Sequence, residues 1–256
     1  MADSSSYFDE QRQSFVSAKL RLATISNGIG RQIATPRFGW ASWIYARMGL
    51  AAQSVIMLLE QYVDDKAHST LDHVTVGGVC RAILEAQVFV SYLTEAKISE
   101  EEWQLRKWTL DIHDCNSRLR LFRALDVKDQ VEGFKQQLEE LQVRMKSHPL
   151  FSYLPKETQT AILVGNRIYV RGMRAALEDA GWNQDQWDGI YNYLSGSVHS
   201  SPISFYRSDD RGIDNLSIAT YQLSFAGFAL EQGHQALSWA NTRMMEIFPN
   251  AAVPRS

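Results

Sequence analysis

Residues 74–93 read Val-Thr-Val-Gly-Gly-Val-Cys-Arg-Ala-Ile-Leu-Glu-Ala-Gln-Val-Phe-Val-Ser-Tyr-Leu, the most apolar stretch of the chain. Its apolar side chains recur at three- and four-residue spacing, which is typical of an α-helix. The stretch is long enough to cross a bilayer, but Arg81 and Glu85 would be costly at mid-membrane. We therefore expect a core helix of a water-soluble protein.

Two charged side chains share one stripe of this helix with two glycines. Arg81 and Glu85 are four residues apart and can reach each other. Gly77 and Gly78 leave room for another element to approach closely. Because the neighbouring positions are apolar, we expect the two charges to be at least partly buried. The pair is then either structural, tying helices together, or part of a functional site.

Helical periodicity continues along the rest of the chain, and no alternating strand pattern interrupts it. The predicted helices cover approximately residues 7–33, 40–62, 71–96, 99–124, 126–147, 155–180, 183–199 and 215–248. The sequence therefore predicts an all-α fold, a single multi-helix bundle of about eight helices. We expect one domain over residues 1–256, with 1–38 as an N-terminal helix and breaker, 39–248 as the core bundle and 249–256 as a tail.

Helix ends are marked by capping residues. Ser99 with Glu102 and Asn183 with Gln186 have the spacing of N-terminal capping boxes. Asp126 is predicted to cap the fifth helix, and Gly181 to end the sixth.

A polar stripe runs along the seventh predicted helix. Asp188, Asn192, Ser195 and His199 recur at spacings of three and four residues. A histidine beside hydroxyl and carboxylate groups can act as an acid or a base near neutral pH. A hydrogen-bonded core histidine is the alternative. We expect Arg81 and Glu85 to lie near Ser195 and His199.

The strings Arg81-Ala-Ile-Leu-Glu85 and Leu194-Ser195-Gly-Ser-Val-His199 resemble the R-x-x-x-E and L-S-x-x-x-H motifs of an uncharacterised bacterial all-helical family. The resemblance covers approximately residues 40–238 as a loose pattern. It implies an all-helical fold in which Arg81, Glu85, Ser195 and His199 gather together. We take these four residues as the candidate catalytic cluster, with Asn192 and Tyr193 as candidate binding residues beside it.

More remotely, the layout is similar to the HEPN superfamily of helical ribonucleases and toxins of bacterial conflict systems. Those proteins carry R-x(4–6)-H on one helix and act on RNA without a metal. Here no arginine precedes His199 at that spacing, and Arg81 would supply it from another helix. The resemblance implies an RNA partner and a role in phage defence or stress.

Three further arginines have helical spacing. Arg167, Arg171 and Arg174 stand at i, i+4 and i+7 in the sixth predicted helix. Such a stripe can bind phosphates, although a solvated helix face is the usual alternative.

Composition limits the other classes. A net charge of −3, from 26 basic and 29 acidic residues, argues against a wholly nucleic-acid-binding surface. Two cysteines and no visible signal peptide favour a cytoplasmic protein with free thiols, and we expect no membrane partner. Glu231-Gln-Gly-His234 has metal-ligand spacing but no second copy, so no metal or other cofactor is predicted.

Three hypotheses remain open. The protein is a HEPN-like RNA-binding protein or ribonuclease, a non-catalytic helical module that binds a partner protein, or a metal-binding bundle. A homodimer is compatible with each of them.

Overall fold

The computed structural model describes residues 4–30, 32, 34–63, 70–198 and 219–251. These residues contain helices and no strand, which confirms the predicted all-α class. Their nine α-helices are α1 Ser4–Ile29, α2 Pro36–Val63, α3 His73–Thr94, α4 Glu100–Ala124, α5 Lys128–Lys146, α6 Lys156–Leu163, α7 Met173–Asp179, α8 Gln184–Val198 and α9 Thr220–Ile247. The HEPN-like character stays a prediction.

The helices group into two compact units. The first unit contains α1, α2, α3, α8 and α9, and the second contains α4 to α7. The N-terminal helix, which the sequence analysis separates from the core bundle, packs along α9 in the first unit. A single domain over 1–256 stays a prediction.

A buried amide on α9 ties three helices of the first unit together. The hydroxyl of Tyr45 on α2 donates a 2.6 Å hydrogen bond to Oδ1 of Asn241. The Nδ2 of Asn241 donates in turn to the carbonyl oxygen of Ala18 on α1, at 3.0 Å. Both side chains are buried, so each hydrogen bond offsets the cost of removing its polar groups from water.

Gly77 lies where α3 packs against α8 and α9, and its lack of a side chain allows the close contact. A Cβ at this position would lie 2.6 Å from Cε1 of Phe225 and 3.7 Å from Cδ2 of Leu194. The glycine therefore accommodates an aromatic ring from α9. The sequence predicts such close approach, and the structure shows that a side chain fills the space.

His73 begins α3 inside an aromatic cluster. Its ring meets Tyr221 and Phe225 edge-on, with centroids 5.9 and 5.5 Å away. Burial lowers the pKa of His73 below its usual 6.5, while a hydrogen bond to the Leu71 backbone and the charge of Asp72 act in the opposite direction.

The second unit has its own core and a buried cation. Its buried apolar side chains include Leu105, Ile112, Met145 and Phe151. Arg106 is also buried, and its Nη2 lies 2.5 Å from a carboxylate oxygen of Glu95 and 2.5 Å from one of Glu102. The two carboxylates neutralise the guanidinium and satisfy its donors.

Helix ends follow the capping predictions in part. Ser99 Oγ accepts the backbone N–H of Glu102, and Asn183 Oδ1 accepts that of Gln186, as predicted. Gly181, with a φ of +82°, follows the last residues of α7, also as predicted.

The predicted role of Asp126 is wrong. Asp126 has a φ of +53° and follows the last turn of α4, while the N–H of Val127 bonds to the carbonyl of Phe122. This is a Schellman ending, in which an Asp takes the left-handed position that glycine usually occupies. Asp126 therefore ends α4, and α5 has no side-chain cap.

The sixth predicted helix is also shorter than expected. It ends at Leu163, because Gly165 takes a φ of +70° and the N–H of Asn166 bonds to the carbonyl of Ala161. The same Schellman pattern therefore divides residues 155–180 into α6, an irregular segment and α7.

Both cysteines are free and buried, as predicted. Burial raises the pKa of the Cys80 thiol to about 12, so this thiol stays protonated at neutral pH.

Gly77→Ala should destabilise the first unit. The new methyl would overlap the Phe225 ring, and such overpacking costs about 1–3 kcal/mol, more than the roughly 1 kcal/mol that alanine contributes as a helix former. Gly133→Ala is the matched control, because Gly133 lies within α5 with nothing within 4 Å of its Cβ position. Chemical denaturation should show opposite signs for the two variants, and equal stabilisation would contradict the Gly77 contact.

Removing both partners of Arg106 should cost more than the sum of the single changes. Glu95→Gln or Glu102→Gln leaves one carboxylate on the guanidinium, whereas the double variant leaves a buried charge unpaired, at about 3–5 kcal/mol. Glu139→Gln, at an exposed position of α5, is the control. Additive losses in urea unfolding would contradict the shared-cation arrangement.

His73 should make stability depend on pH below about 6.5. Above this pH the histidine is neutral in both the folded and the unfolded chain. Below it the unfolded chain gains a proton before the folded chain does, so the free energy of unfolding falls by up to about 1.4 kcal/mol per pH unit. His73→Gln should flatten this slope. Equal slopes in wild type and His73→Gln would contradict the lowered pKa.

Candidate functional site around Arg81

Arg81 lies where α3 packs against α8. Its Nη1 donates a hydrogen bond to Ser195 Oγ at 3.0 Å. Its Nε lies 3.5 Å from Oε1 of Glu85, one turn further along α3. Its guanidinium carbon lies 5.1 Å from the centre of the Tyr191 ring. We refer to Arg81, Glu85, Tyr191 and Ser195 as the Arg81 cluster.

The helix contacts explain why these residues meet. Gly77 and Arg81 are four residues apart, so they share one face of α3. Leu194 lies next to the Gly77 position, and Ser195 follows it in α8. The close packing at Gly77 therefore brings Ser195 within reach of Arg81, one turn along α3. The predicted proximity of Arg81 to Ser195 is confirmed, while Glu85 reaches α8 at Tyr191.

The cluster is open to solvent on one side. The side chain of Arg81 is 22% exposed and that of Glu85 is 43% exposed. Arg81 Nε is buried and makes no hydrogen bond, so the Glu85 carboxylate interacts with it mainly through charge. Because Glu85 is half exposed, we expect the ion pair to contribute about 1 kcal/mol or less, rather than the larger value of a fully buried pair.

Tyr191 links the cluster to an aromatic stack. Burial raises its pKa most, and the hydrogen bond to the Glu85 carboxylate raises it further, while Arg81 acts in the opposite direction. The phenol therefore remains protonated at neutral pH and donates to Glu85. Behind it, the Trp187 ring is stacked 5.8 Å away, and Trp182 meets Trp187 edge-on at 5.3 Å.

The predicted polar stripe of α8 is only partly assembled into this site. Ser195 reaches α3, but Asp188 and Asn192 are exposed, and Asp188 accepts a hydrogen bond from Gln184 of its own helix. Tyr193 packs against the rings of Phe225 and Phe228, at 5.1 and 5.4 Å. His199 lies outside the described residues.

The predicted arginine stripe is wrong. Arg167 and Arg171 lie in the irregular segment between α6 and α7, so they do not share a helical face with Arg174. Arg171 is paired with Asp179, and Arg174 with Glu178 at 3.3 Å. The physical reason is the Schellman ending at Gly165, which stops the helix before Arg167.

Glu231, of the Glu231-x-x-His234 motif, connects two helices. The Glu231 carboxylate accepts a 2.8 Å hydrogen bond from the hydroxyl of Tyr7, which connects α9 to α1. Among the described residues, no group of three or more His, Cys, Asp or Glu side chains could hold a metal ion.

The Arg81 cluster presents a positioned cation. A guanidinium carries five N–H donors in a planar fork, a geometry that suits the oxygen atoms of a phosphate or carboxylate. Ser195 and Tyr191 hold this fork, and its partial exposure leaves it accessible to an anion. Tyr191 stays protonated near neutral pH, and the predicted acid–base residue, His199, lies outside the described residues.

Tyr191 is the residue that the sequence analysis misses. A tyrosine between Trp187 and Leu194 has the pattern of a core side chain, so the sequence does not single it out. The available signal is its spacing of four residues from Ser195, which puts both side chains on the same face of α8.

Comparisons with known proteins give no relative for this chain. No family model matches it, and neither a curated protein nor a solved structure does. The resemblance to HEPN proteins and to the R-x-x-x-E family therefore stays a prediction. The Arg81 cluster is the feature of the structure from which a function can be inferred.

Proposed function

We propose that the protein is a HEPN-like RNA-binding protein in which Arg81 binds a backbone phosphate. The observation that carries this proposal is the partly exposed guanidinium, held by Ser195 and stacked on Tyr191. An arginine fixed in this way loses little side-chain freedom on binding, so its charge-assisted hydrogen bonds contribute more to affinity.

In the same proposal, His199 supplies the acid–base step of a metal-independent cleavage. His199 would remove the proton of the RNA 2′-hydroxyl, whose oxygen attacks the phosphorus while Arg81 stabilises the charge on the phosphate. The P–O5′ bond then breaks, the 5′-oxygen takes a proton from the histidinium, and a 2′,3′-cyclic phosphate remains. The role in a bacterial phage-defence or stress system depends on the HEPN resemblance alone.

A non-catalytic interaction module is the second candidate. It is favoured by the fact that Arg81 already has a carboxylate, a hydroxyl and a ring as partners inside its own fold. In that case the cluster fixes α8 against α3, and an exposed face elsewhere would bind a partner protein.

Arg81→Gln should lower RNA affinity by about tenfold or more, the worth of a charge-assisted hydrogen bond. Glu85→Gln should raise the affinity, because the carboxylate competes with phosphate for the same guanidinium. Both effects are measured by fluorescence anisotropy with a labelled single-stranded RNA in EDTA. Arg118→Gln is the control, since Arg118 is an exposed, ion-paired arginine of the second unit.

Cleavage is read from the same samples on denaturing gels. His199→Ala should abolish cleavage and retain RNA binding. If wild-type protein neither binds nor cleaves RNA, and Arg81→Gln and Ser195→Ala only lower the melting temperature, the proposal is wrong and the structural module is supported.

A further inference from the structure

The outer face of α2 is apolar and exposed. Trp43, Leu50 and Met57 are 76%, 70% and 59% exposed. They are spaced by seven residues, or about two turns, so they form one line of about 21 Å along the helix. Three large apolar side chains this exposed on one side of a helix are uncommon on a solvated surface and mark an interaction site.

The inner face of the same helix is occupied by the fold. Tyr45, Ala52, Val55 and Leu59 are fully buried in the first unit. By length and composition, residues 36–60 are apolar enough to cross a membrane, but only 28% of the most apolar window is buried in the protein. Because its inner face is held by other helices, α2 can contact an apolar medium only along its outer side.

A groove of about 740 Å³ adjoins this row, between the end of α1 and the beginning of α2. Ile29 and Gly30 line it from α1 and the residue that follows, and Trp43, Arg47 and Leu50 line it from α2. The groove extends the apolar row sideways and places a cation, Arg47, between two of its members.

The charge of this part of the chain is one-sided. Residues 11–59 contain no Asp or Glu and carry six basic side chains: Arg12, Lys19, Arg21, Arg31, Arg37 and Arg47. Because the whole chain has a net charge of −3, the remainder is acidic. The hairpin of α1 and α2 also contains Asp9, Glu10 and Glu60, so with its six basic side chains it has a net charge of +3 and is a basic segment with an apolar face.

Charge complementarity distinguishes the three possible partners of this face: a second copy of the chain, RNA and a lipid surface. A second copy of the chain would bring two basic segments together, which disfavours a dimer. RNA would match the charge, but Leu50 and Met57 gain nothing from a phosphate backbone. An anionic lipid surface matches both features, because it offers negative headgroups above an apolar layer.

We propose that the outer face of α2 docks on an anionic lipid surface, with Trp43, Leu50 and Met57 at the boundary between headgroups and acyl chains. The helix lies parallel to the surface, and Arg47, which lines the groove beside the apolar row, faces the lipid phosphates. This proposal departs from the sequence-based expectation of no membrane partner, which considers a spanning segment and a signal peptide but not a helix that lies on the surface, as proposed for α2.

The test is flotation of the full-length protein with vesicles of phosphatidylcholine, with and without phosphatidylserine. We expect binding to the phosphatidylserine vesicles, weakened by salt, and little binding to phosphatidylcholine alone. Leu50→Glu should abolish binding and leave the melting temperature nearly unchanged, because the side chain is already exposed. Val143→Glu is the matched control, since Val143 is 67% exposed on α5 in the second unit.

Two further variants test the orientation and the charge. Both native thiols are buried, so Leu50→Cys gives a single site for an environment-sensitive fluorophore, whose emission should shift to the blue on the anionic vesicles. Arg47→Glu should weaken vesicle binding by tenfold or more, since it reverses a charge at the surface.

Three results would overturn this proposal. The first is that the protein binds both kinds of vesicle equally, or that it binds neither kind. The second is a dimer in light scattering that Leu50→Glu dissociates without lipid. The third is RNA binding that depends on Leu50 while vesicle binding does not, which would assign the face to nucleic acid.

Discussion

The contact between Gly77 and the Phe225 ring is the constraint on which the candidate site depends. A side chain at position 77 would displace the ring, because a Cβ there would lie 2.6 Å from Cε1 of Phe225. With glycine, α8 and α9 both pack closely on α3, and Ser195 then comes within 3.0 Å of Arg81. The polar cluster is therefore a consequence of apolar packing one turn away, and not the force that brings the helices together.

Much of this arrangement is predictable from the sequence, because it depends on local signals. The period of three to four residues identifies the helices, and the hydrogen bonds of Ser99 and Asn183 start two of them where the capping pattern predicts. The partnership of Arg81 with Ser195 is predictable for a similar reason. Arg81 is a charged residue on a largely apolar helix, Ser195 belongs to the polar stripe of α8, and buried polar groups require partners.

The parts that the sequence does not predict depend on context. Asp126 and Gly165 both take positive φ values and end a helix, but the sequence analysis assigns Asp126 to the beginning of the next one. An Asp suits either position, and the choice depends on which helix is already hydrogen-bonded around it. Tyr191 is missed because an aromatic residue in an apolar pattern is usually core. The exposed face of α2 is missed because hydrophobicity alone does not say which side of a helix is covered.

Arg106 and Arg81 differ in how far their charge is compensated by neighbouring carboxylates. Arg106 is buried between two carboxylates, so its charge is compensated inside the second unit and its side chain is almost inaccessible to solvent. Arg81 has one carboxylate, which is itself half exposed, together with a hydroxyl and an aromatic ring. Its charge is therefore held in position but only partly compensated. An anion that approaches Arg81 competes with one half-exposed carboxylate, whereas at Arg106 it would have to displace two, and this difference makes Arg81 the better candidate for binding.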